Sequence, residues 1–347
     1  MENYKRYLNI LKNMDLQDDE SVNSALKRKG FYSKSEIYPI SSIHFELTAR
    51  CNACCKHCYN NSGNHGSGKE MTPEQWIEFS KYIVESGGVF ECLLSGGEPL
   101  LFGDKLLDIM NILQDDGTIF YLMTNGYLLN EVMVDKLRKY QYHWLQISID
   151  GANSNYHDWF RGLKGSWIKA VEGAKCVANK GIPLKIAHCV TPYNIEDIDE
   201  MCDLAYEIGA KSITIGGISL SGRTSKNMNL LLSHSEKQYL NEKIEKNRLR
   251  YKNVIRIKST NSVKEGLKKH SKRPCSGVII RPNGDIRIDG MAPFIIGNIL
   301  EDDFTKIWKN KIDSCWNDRR VQEFINEFDE NDINKSKINY VDDDIYL

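Results

Sequence analysis

Six short stretches of this chain are rich in β-branched and aromatic residues: "IHFELTAR" (43–50), "VFECLLSGG" (89–97), "TIFYLMTNG" (118–126), "HWLQISIDG" (143–151), "LKIAHCVT" (184–191) and "SITIGGISL" (212–220). Runs of this length, bounded by Gly, Asn and Asp, predict strands. Between them the apolar positions recur at helical spacing. After Asn194, residues Ile195, Ile198, Met201, Cys202, Ala205 and Ile208 fall on one stripe. Thr72-Pro73-Glu74-Gln75 offers an N-cap, a proline at the first helical position and a capping-box glutamine, so a helix is predicted to start there.

Strands alternating with helices imply a parallel sheet with right-handed crossovers. Six such units fall short of an eight-stranded barrel, so the expected fold is α/β, a partial (β/α)6 TIM-like barrel. Chemistry in such a fold collects at the C-terminal ends of the strands. Three divisions are expected: an N-terminal helical, charged segment (1–40), the barrel (41–225), and a connecting helix with a small α+β domain (226–347). In the last, "SHSEKQYLNEKIEKNRLRY" (233–251) reads as helix and leads into "IRIKST". "VIIRPNGDIRI" (278–288) reads as a hairpin turning at Pro282-Asn283-Gly284, and "EDDFTKIWKN" as a helix around Trp308.

Composition adds limits. The 347 residues are 41% hydrophobic, enough for one large domain with an appendage. With 46 basic and 47 acidic residues the net charge is -1, which gives no electrostatic reason to expect nucleic acid or an anionic membrane. The first twenty residues scatter charges where a signal peptide needs an apolar core, and no apolar run approaches the roughly 18 residues of a membrane span. Ten cysteines, several closely grouped, point to thiols that hold metal in a reducing, cytoplasmic setting.

The group is "CNACCKHCYN" (51–60). Cys51-x-x-Cys54 or Cys55-x-x-Cys58 would each serve a zinc site, whereas Cys51-x3-Cys55-x2-Cys58 is a different proposition. Three thiolates from one loop hold three irons of a 4Fe–4S cube and leave the fourth open. Position favours the triplet: it follows the first strand, Gly96-Gly97-Glu98-Pro99 follows the second, and Thr124-Asn125-Gly126 ends the third. Cys54 lies outside that spacing. Cys92, Cys176 and Cys202 fall on core positions, while His188 and Cys189, adjacent on the fifth strand, must point to opposite faces. Lysine-rich "KKHSKRP" (268–274) reads as a solvated loop.

In spacing and order these motifs resemble the radical S-adenosylmethionine (SAM) enzymes. The resemblance spans roughly residues 41–225 and implies one 4Fe–4S cluster on Cys51, Cys55 and Cys58, whose open iron is chelated by the amino and carboxylate groups of SAM. One electron, from a donor such as flavodoxin or ferredoxin, then cleaves SAM to methionine and a 5'-deoxyadenosyl radical that takes hydrogen from the substrate. His57 fits the position where the family usually carries an aromatic residue. "GGEP" resembles the methionine-binding motif, with Gly96 and Gly97 letting backbone approach the ligand and Glu98 accepting from the SAM amino group. "ISIDG" (147–151) and "YHDWFRG" (156–162) resemble the peptide-modifying branch, with Ser148 on the ribose, Arg161 on the SAM carboxylate and Asn125 near the same site.

The C-terminal part is similar to the SPASM or Twitch extension, which normally holds auxiliary clusters. Here only Cys275 and Cys315 are available past residue 225, and Asp289 stands where the family has a cysteine. The extension is therefore expected to keep its shape without an auxiliary cluster. The implied activity is crosslinking, epimerisation or oxidation of a ribosomally made peptide or protein side chain. Two alternatives stay open: a radical SAM enzyme acting on a small metabolite, and a non-enzymatic zinc-binding adaptor.

Overall fold

Every one of the six expected strands forms, as β1 (Ile40–Glu46), β2 (Val89–Ser95), β3 (Ile119–Thr124), β4 (Tyr142–Ser148), β5 (Leu184–Val190) and β6 (Ser212–Gly217) in a computed structural model of the chain. The structure describes residues 40–66, 68–260, 262–272, 277–312, 314–329 and 338–347. The expected helical segment 1–40 thus lies outside the described residues, apart from Ile40, which opens β1. Neighbouring strands from β1 to β6 pair in parallel. The crossovers carry α1 (Pro73–Glu85), α2 (Asp104–Asp115), α3 (Glu131–Leu137), α4 (Ser154–Arg161), α5 (Ser166–Asn179) and α6 (Ile198–Ile208).

Local sequence explains these elements. Thr72 and Gln75 bond reciprocally to each other's backbone N–H groups and start α1. Trp76 is then fully buried, and its indole donates to the carbonyl of Leu47 at 3.0 Å, fastening the helix to the end of the first strand. Along β5, Leu184, Ile186, His188 and Val190 are buried, and Lys185, Ala187 and Cys189 take the other face. Cys92 and Cys202 are core residues with no exposure, as expected.

The alternation does not stop at residue 225. A seventh unit follows, α7 (His234–Arg250) and then β7 (Arg256–Ser259), which pairs in parallel with β6. Arg256 and Lys258 interrupt its apolar pattern, so only Ile257 marks it as half-buried. The remaining strands are β8 (Gly277–Ile280), β9 (Asp285–Arg287), β10 (Phe294–Asn298) and β11 (Ile345–Tyr346), with α8 (Val263–Lys272), α9 (Phe304–Lys311) and α10 (Arg319–Glu327) beside them. The expected hairpin is β8–β9, antiparallel. Its first strand runs parallel to β1, so the C-terminal lobe continues the barrel sheet. Among the described residues, the eleven strands form one open sheet in the order β11-β10-β9-β8-β1-β2-β3-β4-β5-β6-β7. Backbone groups on the outer edge of β1 thereby gain partners from a segment some 230 residues away.

Candidate active site

The loop after β1 is clamped from two sides. From one, the last carbonyls of α4 accept its amides: Cys54 N–H donates to Arg161 O at 3.1 Å and Lys56 N–H to Phe160 O at 2.9 Å. These carbonyls are the ones a helix terminus leaves without intrahelical partners. The next residue must be Gly162, because its φ is +62° and a Cβ would stand 2.6 Å from the Cys54 carbonyl. From the other side, Arg223 Nε donates to Cys55 O at 2.7 Å, Asn227 Nδ2 to Lys56 O at 3.0 Å and Ser221 Oγ to Tyr59 O at 2.7 Å.

Held in this way, Cys51, Cys55 and Cys58 face one cavity of about 380 Å³, and Cys54 is exposed and outside it. Gly96, Gly97, Asn125, Ser148, Arg161 and His57 line the same cavity. Burial pushes the Cys51 thiol up to about 12 and the Cys58 thiol to about 11, and raises Cys55 as well. All three therefore stay protonated until a metal displaces the proton. Among the described residues, no three His, Cys, Asp or Glu side chains close on one point as a single ion requires. All three thiols line the one cavity, and a polynuclear cube takes one iron per thiolate.

Glu98, Gly96 and Gly97 have partners within the chain. Glu98 is fully buried and does not line the cavity. Its carboxylate accepts from Thr124 Oγ1 (2.7 Å), Asn125 N–H (2.8 Å) and Leu100 N–H (3.1 Å). It fixes the end of β3, and with it Asn125, whose Nδ2 donates to Asn52 Oδ1 at 2.7 Å. Burial raises the Glu98 carboxyl to about 7 against those donors. Gly96 and Gly97 are also required to be glycines by packing within the chain. A Cβ on Gly96 would meet Thr48 O at 2.5 Å, and one on Gly97 would meet Arg50 O at 2.1 Å. Their bareness lets two loop backbones touch, and the backbone they expose then faces the cavity.

Arg161 lines the cavity with its charge already answered. Nη2 lies 2.6 Å from Asp150 Oδ2, and Nη1 lies 3.8 Å from Cys55 Sγ. Burial works to raise the Asp150 carboxyl, and the guanidinium overrides it and holds the group at about 2. Asp150 Oδ1 also accepts the Cys189 N–H at 2.8 Å. Burial depresses His57 to about 3, so its ring is neutral, and it stacks on Phe160 with centroids 4.0 Å apart. Buried Arg161 Nε, His57 Nδ1 and Asn52 Nδ2 lack a hydrogen-bond partner, which is costly unless a ligand supplies one. The cavity therefore fits a polar ligand beside a thiolate-bound cluster.

Sequence reading missed Asp150 and Arg223. The signals were a charged residue directly after an alternating strand, in "ISIDG", and a basic one in the loop after β6. Of the adjacent pair on β5, Cys189 faces the cavity, while His188 is buried with Nδ1 3.3 Å from Ile149 O. In the C-terminal lobe, Asp289 meets His270 Nδ1 at 3.0 Å and accepts the Met291 N–H, and the Cys315 thiol donates to Ile312 O. Cys275 lies outside the described residues.

The chain is similar to several known proteins. The family model of the Radical SAM superfamily matches residues 45–205. AdoMet-dependent heme synthase of Methanosarcina barkeri is 30% identical over 287 residues, covering 77% of this chain and 82% of that protein. The subtilosin biosynthesis protein AlbA of Bacillus subtilis is 26% identical over 319 residues, 89% of this chain and 68% of AlbA. Streptococcus suis SuiB, solved bound to S-adenosylmethionine, superposes with a TM-score of 0.64 at 17% identity, over 84% of this chain and 71% of SuiB.

Proposed function

Because this chain belongs to the radical SAM superfamily, we propose that its cavity loads a 4Fe–4S cluster on Cys51, Cys55 and Cys58 and directs radical chemistry onto a ribosomally made peptide. It is a SAM-dependent enzyme, which sets the zinc-adaptor alternative aside. When bound, the cluster and SAM supply a 5'-deoxyadenosyl radical that takes hydrogen from the substrate. The protein's own part is to position. α4 and Arg223 hold the three thiols on one cavity wall. The backbone at Gly96 and Gly97, with Asn125, offers polar contacts to the methionine end of SAM. Arg161 Nε is free to meet its carboxylate, and Ser148 stands at the end of β4 for the ribose. Glu98 acts through Thr124 and Asn125. The observation that carries this reading is the convergence of three thiols and three strand ends on one cavity.

The peptide substrate is supported by the extent of the likeness to AlbA, a bacteriocin biosynthesis protein, which runs through barrel and C-terminal lobe alike. Met291 of that lobe lines the cavity, so the lobe borders the substrate's approach. A second reading, a small metabolite as substrate, is favoured by the likeness to the heme synthase. A one-electron donor such as flavodoxin or ferredoxin and a reducing cytoplasm complete the proposal. Anaerobically reconstituted enzyme, given SAM, a reductant and a short precursor peptide, should one be encoded beside its gene, should yield 5'-deoxyadenosine and a peptide of altered mass. Turnover with an iron porphyrin and none with the peptide would transfer the assignment to the second reading.

A further inference from the structure

The face of the sheet that bears the cavity continues deeper, and there it carries charge that no residue answers. Gln146 of β4 and Ala187 of β5 line the cavity. Lys185 lies on the same face as Ala187, one step deeper, and is the register partner of Gln146. Thr214 of β6 pairs with Ala187 on one side and with Lys258 of β7 on the other. Paired residues of neighbouring strands point to one face, so Lys185, Thr214 and Lys258 belong to the face that the cavity occupies. Ala187 contributes only a methyl group between Lys185 and the cavity. β7 ends the sheet on that side among the described residues, and Lys258 is half-buried at this edge.

Lys185 Nζ lies 4.3 Å from the centre of the Trp144 ring, which holds the ammonium over an apolar surface. Burial, and then the charge of Lys258, lower its hold on the proton, and no carboxylate works against them. Among the described residues, neither lysine forms an ion pair. Next to Lys258 in register, Thr214 Oγ1 is buried without a hydrogen-bond partner, which is costly unless a ligand supplies one. The carboxylates of this face are engaged elsewhere. Glu91 of β2 meets His143 Nε2 at 2.9 Å, and the His143 ring stacks on Tyr121. Glu46 of β1 accepts from the hydroxyls of Tyr59 and Tyr340, and Asp150 is held by Arg161. Two unanswered cations and an unpaired hydroxyl have the chemistry of an anion site.

We propose that this floor receives a carboxylate of the substrate, with Lys185 and Lys258 supplying the charge and Thr214 Oγ1 donating a hydrogen bond to it. The proposal rests on the reading that the cavity takes a peptide, and it adds that the peptide is acidic where it enters. The carboxylate belongs to an acidic side chain or to a free C-terminus. Three blocked peptides separate these sources. Acetyl-Gly-Glu-Gly-amide has only the side-chain carboxylate, acetyl-Gly-Gln-Gly only the terminal one, and acetyl-Gly-Gln-Gly-amide neither. Equilibrium dialysis uses reconstituted enzyme saturated with SAM, so that Arg161 is occupied. One or both charged peptides should bind roughly tenfold more tightly than the neutral one, about the contribution of one charged hydrogen bond. The arm that binds identifies the source. Lys185→Met and Lys258→Met should each remove most of that preference, and cluster absorbance kept in each variant shows that it has folded. Equal binding of all three peptides by the parent overturns the proposal, whatever the variants do. So does a preference that survives in both lysine variants, which would move the carboxylate to another cation of the cavity. A preference for charge in a parent that does not cleave SAM would instead strike the function proposed above and leave the floor standing.

Discussion

Cys55 and Cys315 are equally buried, 7% and 6% exposed, yet their surroundings differ in kind. Cys55 faces a cavity that Cys51 and Cys58 also face, with Arg161 at 3.8 Å. Cys315 sits in a short 3-10 turn, donates to the Ile312 carbonyl, and is surrounded by the core of the C-terminal lobe. The same contrast holds for the acids. Asp150 organises Arg161 and β5 at the cavity wall, whereas Asp289 is engaged by His270 and the Met291 amide. Burial alone does not make a ligand. A ligand needs convergence with its fellows around space, and a local backbone that holds it there.

The sharpest way to break this comparison is at the thiols. Alanine at Cys51, Cys55 or Cys58 should abolish both the cluster absorbance and SAM cleavage, while Cys54→Ala leaves both largely intact. Iron lost from the Cys54 variant would show that exposure, too, is a poor guide to ligation.

Next in size is the ion pair behind the cavity. Arg161→Met should cost about 3–5 kcal/mol of stability, because it strands Asp150 as a buried, unpaired charge. The pH dependence should change sign. With Arg161 present the Asp150 carboxyl sits at about 2, below its ordinary value, so its contribution is present above about 4 and lost as pH falls toward 2. Without the guanidinium, burial raises that carboxyl, and stability should instead decline as pH rises above about 4. Urea unfolding of the apoprotein across that range checks both slopes. Parallel slopes for the two proteins would remove Arg161 from its role.

The smallest effect is expected in the lobe. Cys315→Ala should leave about four irons per reconstituted chain, the content of a single cube. It should lower stability by only about 1 kcal/mol, the cost of a small void. A parent count near eight, halved by Cys315→Ala or Cys275→Ala, would place a cluster in the lobe and erase the contrast with the cysteine loop.

The sequence by itself determined the six strands, their intervening helices and the thiol triplet. These are written in local periodicity and spacing, where one element's burial pattern depends only on its own residues. α1 began where Thr72 and Gln75 said it would, because a capping box is closed by residues three apart. Tertiary structure decided what depends on partners far along the chain. β7 and β8 joined the sheet because the edges of β6 and β1 offered unpaired backbone, although the apolar pattern of β7 was broken by Arg256 and Lys258. Glu98 turned inward because Thr124 and Asn125, 26 and 27 residues on, supplied donors that a buried carboxylate needs. Arg161 Nη2 met Asp150, since two opposite charges taken out of water must answer each other, and Nε was left for a ligand.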